Sequence, residues 1–381
     1  MGHLEASIKV YGRSLGFDIV RIADAKPFVR DEQAALERVR GGLMDGLHWY
    51  TEERVRRAAN PEVLLPGAMS IVSVAMSYFT GDAERSNGGP TGQVARYAWG
   101  GEYHLVMKAK LRELADGLSK LAARPVRTRV FVDDGPMLDR PAAERAGAGW
   151  FGKNTNILTP SHGSWVFLGQ VITDLELAPD QPLKKTCGSC VRCIDACPTG
   201  AIVAPYVIDN TRCISFLTIE LRGAIPRELR PLVGDWVFGC DICQDVCPVN
   251  RKAQQSLEPA FRQRHGFAAP ALLPLLELDD EAFRQRFADS PIKRAKRAGL
   301  QRNVCVTLGN IGDPVAVPAL VKALRQNPDA LVRQHAAWAL GRIGGMEAAQ
   351  ALREALEREQ DAAVLEEVKL SLSDLGVHAQ S

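Results

Sequence analysis

A chain of 381 residues, 46% hydrophobic and 24% charged, has the composition of a folded protein with two or three cores. Disorder, collagen and coiled coil are excluded as the overall class. A formal net charge of +2 excludes a globally basic chain, so any nucleic-acid surface must be local.

The first residues, MGHLEASIKVYGRSLG, lack the basic, apolar, small-residue layout of a signal peptide. The longest apolar stretch, around Ile71 to Phe79, is interrupted by serines and too short to span a bilayer. A cytoplasmic protein without membrane association is expected. Leu4, Ile8, Tyr11 and Leu15 have helical spacing, and Gly16 is a natural stop. FDIVRIA and MSIVSVAMSY read as strands, and HLVMKAKLRELADGLSKLA as a long helix with Leu111, Leu114, Leu118 and Leu121 on its apolar side. VRTRVFVDDGP reads as a strand running into a turn. A helix is expected from about Asp139 to Ala148, then a loop, GWFGKNTNILTPSHGSWVFLG. Alternating helices and strands suggest a layered sheet. Neither a dinucleotide fingerprint nor a P-loop is present.

Eight of the nine cysteines lie between Cys187 and Cys247. CGSCVRCIDACP, holding Cys187, Cys190, Cys193 and Cys197, is the C-x2-C-x2-C-x3-C-P run of bacterial ferredoxins. CDICQDVCP, holding Cys240, Cys243 and Cys247, is the same run without its first cysteine, which Cys213 can supply. Two intervening residues let successive thiolates wrap the corners of a cubane. The cysteine before the proline turns away and ligates the other cluster. One [4Fe–4S] cluster is therefore assigned to Cys187, Cys190, Cys193 and Cys247, and a second to Cys197, Cys213, Cys240 and Cys243. Structural zinc and disulfides give no reason for two such runs that need each other's last cysteine. Cys305 lies in an apolar helical pattern and reads as a buried small hydrophobe.

The C-terminal part repeats with a period of 32 residues: LGNIG begins at Leu308, LGRIG at Leu340 and LSDLG at Leu372. Ala319, Leu320, Leu324 and Val332 recur at the same offset. Each unit fits two helices ending in glycine, as in HEAT-like solenoids. At the start of this segment, Lys293, Arg294, Lys296, Arg297 and Arg302 form a run without an acidic residue. It reads either as a solvated helix face or as a phosphate-backbone patch. Asp133 and Asp134 read as a turn before Gly135-Pro136 or as strand-end acids. His48, His104 and His162 share no metal-ligand spacing, and each reads as structural.

VDDGPMLDRPAAERAGAGWFGKN, CGSCVRCIDACPTGAI, RCISFLTIE, GCDICQDVCP and the 32-residue repeats together resemble epoxyqueuosine reductases, cobalamin- and iron–sulfur-dependent enzymes of tRNA modification. The resemblance runs over essentially the whole chain. It implies an α+β multidomain fold: an α/β cobalamin-binding catalytic domain over 1–180, a two-cluster ferredoxin-like module over 181–255 and a HEAT-like tRNA-binding solenoid over 256–381. It implies reduction of epoxyqueuosine to queuosine at the wobble position of tRNA. Asp133 would be the proton donor, with a pKa raised by a poorly hydrated pocket. Cobalamin contacts would be Arg57 (or Arg56, if an extra residue precedes Pro61), Asp133, Asn154, Thr155, Asn156, Ile157, Ser164, Ser215 and Asp241. Arg140 and the run Lys293, Arg294, Lys296, Arg297 and Arg302 would contact the anticodon stem-loop of tRNA. An electron donor of flavodoxin or ferredoxin type is implied. The rival readings are a corrinoid enzyme like the reductive dehalogenases, which usually carry an export signal, and a ferredoxin-type electron carrier with a solenoid docking platform.

Overall fold

The computed structural model describes residues 3–82 and 89–376. They form two compact units, each built from three chain segments. The first comprises 1–81, 100–211 and 241–262; the second comprises 82–99, 212–240 and 263–381.

The first unit is centred on a four-stranded sheet. Its strands are β1 (Ile19–Asp24), β2 (Ser70–Ser77), β3 (Thr128–Phe131) and β4 (Val166–Thr173), in the order β1-β2-β4-β3. Every neighbouring pair is antiparallel, with Ser70 opposite Thr173 and Ser77 opposite Val166 across the central pair. All eight residues of β2 are buried, Ser70, Ser73 and Ser77 among them, so both faces of this strand are covered. β4 is a correction to the sequence reading, which left Trp165 to Gly169 in a loop. Gly169 interrupts the strand pattern for a packing reason: a Cβ there would stand 2.9 Å from Leu111 Cδ1 and 3.1 Å from Met107 Cε. The glycine thus lets the helix α1 (Tyr103–Leu121) lie close against β4 through buried Met107, Leu111, Leu114 and Leu118. The helix expected from Asp139 ends at Arg145; α2 (Asp139–Arg145) buries Ala142 and Ala143 against the sheet.

The second unit is mainly helical. Residues 93–94 pair in parallel with 236–238, and a π-helical turn spans Phe216–Glu220. Helices Lys296–Ile311, Ala330–Ile343 and Ala362–Asp374 pack side by side, with Val317–Gln326 and Met346–Arg358 as an outer layer. The 32-residue period has two physical causes. Gly312, Gly344 and Gly376, one period apart, all take positive φ at the helix ends, where a side chain would be strained. Gly309 and Gly341, also one period apart, let the next inner helix approach. A Cβ at Gly309 would meet the Trp338 ring at 2.7 Å, and one at Gly341 would meet Ser371 Cβ at 2.6 Å. Cys305 is fully buried in this layer, as its apolar surroundings in the sequence suggest.

Candidate active site and cluster ligands

β3 ends at Phe131, and the chain then turns sharply: Asp133 has φ +31, a conformation that costs a non-glycine residue strain. Its carboxylate is gripped by the start of α1. Tyr103 donates its hydroxyl to Oδ2 at 2.6 Å, and His104 Nε2 lies 2.7 Å from Oδ1. The other ring nitrogen of His104 is 2.7 Å from Glu102 Oε1, so the imidazole bridges two carboxylates. Tyr103 is held flat between the ring of Phe167, at 4.1 Å, and that of His104, at 4.0 Å. Asp134 turns the other way and pairs with Lys108, on the same helix. The two neighbouring carboxylates therefore have different partners on the same helix.

The protonation pattern follows from these contacts. Burial alone would lower the pKa of His104. Hydrogen bonds to Asp133 and Glu102, with the charges of both, overcome it and push the pKa up to about 9. Burial likewise acts to raise Asp133, but the His104 hydrogen bond and charge, Tyr103 and Arg140 hold it below the usual carboxylate range. With 54% of the Asp133 side chain exposed, solvent favours the same ionised form. The expected rise in the Asp133 pKa is thus corrected: near neutral pH the proton of the pair resides on His104. His104 is also corrected from a structural histidine to a direct partner of the acid. Six residues on, Asp139 is buried and raised well above an ordinary carboxyl by desolvation, then by the charge of Asp133. Its Oδ1 has no hydrogen-bond partner among the described residues, while Gln170 of β4 donates to its backbone carbonyl at 3.3 Å.

The segment expected to hold a cofactor forms a tight turn. Gly152 donates to Asn156 O at 2.8 Å, Thr155 has φ +66, and Asn154 Oδ1 accepts from Asn156 N at 3.3 Å. Asn154 is buried and also donates to Cys243 O at 3.2 Å, tying the turn to the second cysteine run. Ile157 is buried in a two-residue strand paired with Trp150–Phe151. Ser164 is buried too: its hydroxyl accepts from Gln244 at 3.0 Å and Asn250 at 2.9 Å. Asp241 is buried and stands immediately before the short helix Ile242–Asp245. Arg56 and Arg57 are both exposed and line one open depression with Pro27, Glu53 and Asn60; Arg56 also pairs with Glu52 at 2.7 Å. Ser215 belongs to the second unit, half-buried just before the π-helical turn. Arg140 is exposed, and its charge reaches Asp133 and Asp139.

Cys187, Cys190, Cys193 and Cys247 all belong to the first unit and are half-buried. Burial raises the thiols of Cys193 and Cys247, and each is raised further by Cys187 and Cys190, which places the four within electrostatic reach of one another. Cys247 also receives the N–H groups of Val249 and Asn250, the pattern that favours a thiolate. The short helices Arg192–Asp195 and Ile242–Asp245 pack together and bring the two cysteine runs side by side. Among the described residues, no three His, Cys, Asp or Glu side chains converge at the spacing of a single ion. A cubane spreads its thiolates over its corners instead, and a four-thiolate donor set half-shielded from water suits it. Of the second set, Cys197 and Cys243 belong to the first unit and Cys213 and Cys240 to the second.

The basic run of the second unit is less available than its sequence suggests. Arg302 is 1% exposed and donates to the carbonyls of Leu217, Leu221 and Gly223 at 2.6–2.9 Å. It locks the π-helical turn after Cys213 and is no surface contact, a correction to its assignment to tRNA. Arg294 pairs with Glu220 and Arg297 with Asp280, while Lys293, Arg294 and Lys296 are exposed.

The fold and the paired cysteine runs define an iron–sulfur protein with an N-terminal sheet domain and a helical-repeat cap. Residues 186–250 match the 4Fe-4S double cluster binding domain, and residues 292–373 match HEAT repeats. Residues 58–134 match the family described as epoxyqueuosine reductase QueG, DUF1730. The chain is 40% identical to the epoxyqueuosine reductase of Pseudomonas aeruginosa, over 88% of this chain and 93% of that one. It is also 40% identical to that of Escherichia coli, over 89% of each. A crystal structure of an epoxyqueuosine reductase with an epoxyqueuosine-modified tRNA-Tyr stem loop superposes with a TM-score of 0.93 at 34% identity, covering 98% of this chain and 99% of that one. The structure from Streptococcus thermophilus gives 0.91 at 29% identity, covering 98% of this chain and 100% of that one. The chain belongs to the epoxyqueuosine reductase family.

Proposed function

We propose that this protein reduces epoxyqueuosine to queuosine at the wobble position of tRNA. The observation that carries the reading is its likeness, over 98% of the chain, to a reductase crystallised with the modified stem loop. Removing the epoxide oxygen as water takes two electrons and two protons. Bound cobalamin supplies a strongly reducing cobalt, fed single electrons through the two [4Fe–4S] clusters. The remaining chemistry belongs to the chain.

Asp133 stands at an open strand end and is the proton donor in this reading. His104 holds the proton at rest and returns it to the carboxylate as the leaving oxygen develops charge, while Tyr103 fixes the carboxylate's orientation. Arg57, Asn154, Thr155, Asn156, Ile157, Ser164, Ser215 and Asp241 are the proposed cobalamin contacts. The polar groups of the first unit suit a ligand rimmed with amides: buried Trp150 Nε1, Gln170 Oε1 and Asp139 Oδ1 lack hydrogen-bond partners among the described residues. Cys187, Cys190, Cys193 and Cys247 hold one cluster; Cys197, Cys213, Cys240 and Cys243 hold the other. Arg140, Lys293, Arg294, Lys296 and Arg297 are the proposed tRNA contacts. We retain 1–180, 181–255 and 256–381 as catalytic, electron-transfer and tRNA-binding modules. No helix among the described residues is long and apolar enough to cross a membrane, in keeping with work on tRNA in the cytoplasm. A flavodoxin- or ferredoxin-type protein supplies the electrons.

The test is anaerobic incubation of the reconstituted protein, with a reductant, on tRNA from cells lacking the activity. Nucleoside mass spectrometry should show epoxyqueuosine replaced by queuosine. Unchanged epoxyqueuosine, with both clusters and cobalamin loaded, would refute the assignment.

A further inference from the structure

Before the helix Glu52–Ala58, the chain presents a tryptophan that the core does not need. Trp49 is 43% exposed, and yet its ring is fixed. Tyr50 meets it edge-on at 5.6 Å, with the ring planes at 83°. The Arg54 guanidinium lies over the ring at 4.9 Å from its centroid. Arg54 in turn donates to the backbone carbonyl of Gly135 at 3.0 Å, two residues beyond Asp133. The Tyr50 side chain is largely desolvated, which raises its pKa, and it feels the charges of Arg38, Arg140 and Arg54. Among the described residues, none of these three arginines makes an ion pair with a carboxylate.

A single exposed tryptophan needs no explanation on a protein surface. This one differs in being packed edge-on by Tyr50, backed by the Arg54 cation and linked through it to the loop that bears the acid, while Arg38 and Arg140 bring their charges to the neighbouring Tyr50. A planar aromatic group with a negative charge attached matches it on every count. Unpaired bases of an RNA loop have that chemistry: they stack on aromatic side chains while arginines take the adjoining phosphates. The opposing guanidinium adds a cation–π contribution to the same ring.

We propose that Trp49 is a stacking platform for an unpaired anticodon-loop base beside the modified nucleotide, with Arg38 and Arg140 meeting the adjoining phosphates. Through Arg54 and Gly135, a base seated on Trp49 also steadies the turn that aims Asp133. Substrate recognition and placement of the acid are then one event. This inference rests on the reading of the substrate as tRNA and adds the site at which the loop is read.

The experiment measures affinity and kcat/KM of the holoenzyme for an anticodon stem-loop RNA carrying epoxyqueuosine. Stem-loops with an abasic nucleotide at each unpaired position are compared with it. On the wild-type protein, one abasic position should weaken binding by about tenfold, the size of one base–aromatic stack. Trp49→Ala should weaken the intact stem-loop by the same factor, and that abasic position should then cost nothing further. Trp49→Phe should recover most of the loss, and iron and cobalamin content should match wild type throughout. Equal abasic penalties in wild type and Trp49→Ala, or wild-type affinity in Trp49→Ala, would overturn the platform while leaving the function standing. If no abasic position matters to the wild-type protein, the platform falls without recourse to any variant. A wild-type holoenzyme that neither binds nor converts the stem-loop would overturn the functional reading and this inference with it.

Discussion

Two regions of this chain leave the regular backbone, and they do so for different ends. In the repeat cap, positive φ falls on glycines spaced by one period, Gly312, Gly344 and Gly376, where it terminates helices without strain. In the acid turn, positive φ falls on Asp133, whose carboxylate is then fixed by Tyr103 and His104. A non-glycine residue in such a conformation costs about 1–3 kcal/mol and persists only where its surroundings over-determine it. The cap uses its irregular positions to close a fold. The turn maintains one to aim a functional group. Changes in the cap should therefore cost stability and leave chemistry intact, and changes at the turn should act first on chemistry.

Arg302→Ala should give the largest effect on the stability side. The buried guanidinium satisfies three carbonyls and Asn303 Oδ1. Their desolvation without a partner should cost about 3–5 kcal/mol, read as a lowered midpoint in denaturant unfolding. Its contribution to the salt dependence of RNA binding should be nil. Gly341→Ala comes next. A methyl there meets Ser371 Cβ at 2.6 Å, and overpacking of the inner helices should destabilise by about 1–3 kcal/mol with kcat preserved.

On the chemical side, His104→Gln should reduce kcat by about tenfold or more, and near neutral pH it also forfeits the stabilising charge contacts with Asp133 and Glu102. Its pH profile is the sharper readout. With His104 at about 9, the wild-type pair keeps its proton until the pH rises through that value, so activity should fall above about 9. Without the imidazole, the proton leaves at the carboxylate's own pKa, and the alkaline limb should move to lower pH. In wild type the raised pKa also stabilises the folded chain. That gain is complete below the ordinary value of 6.5 and is lost as pH rises to about 9, so the two limbs should run together. An alkaline limb that stays in place in His104→Gln would remove the histidine from the proton path. The smallest effect is expected at the surface: Lys293→Ala with Lys296→Ala should reduce the slope of log K against log salt by about two units or less. An unchanged slope would return these lysines to solvent.

The cysteine runs and the repeats were legible in the sequence because each is set by local spacing. The thiolates must wrap a cubane, and the glycines must recur where helices end or meet. β4 was not, because Gly169 and Gln170 break its strand pattern, and the need for glycine comes from Leu111 and Met107 more than 50 residues earlier. The motif singles out Asp133, but its protonation cannot be read there. That depends on Tyr103 and His104, some 30 residues away, and no local signal distinguishes His104 from a structural histidine. Arg302 was misread for a related reason. A run of cations looks the same in sequence whether its last member faces water or the carbonyls of a π-helical turn.

The central claim, that Asp133 delivers the proton on a turn held for chemistry rather than stability, is met most directly by comparing Asp133→Asn with Asp134→Asn. Single-turnover conversion of epoxyqueuosine to queuosine would be followed by nucleoside mass spectrometry on protein loaded with both clusters and cobalamin. Asp133→Asn should lose about 10² to 10⁴ in rate, with clusters still reducible and tRNA still bound. Asp134→Asn, which only releases Lys108, should stay within a few-fold of wild type. Near-normal turnover by Asp133→Asn, or a dead Asp134→Asn beside it, would contradict the account.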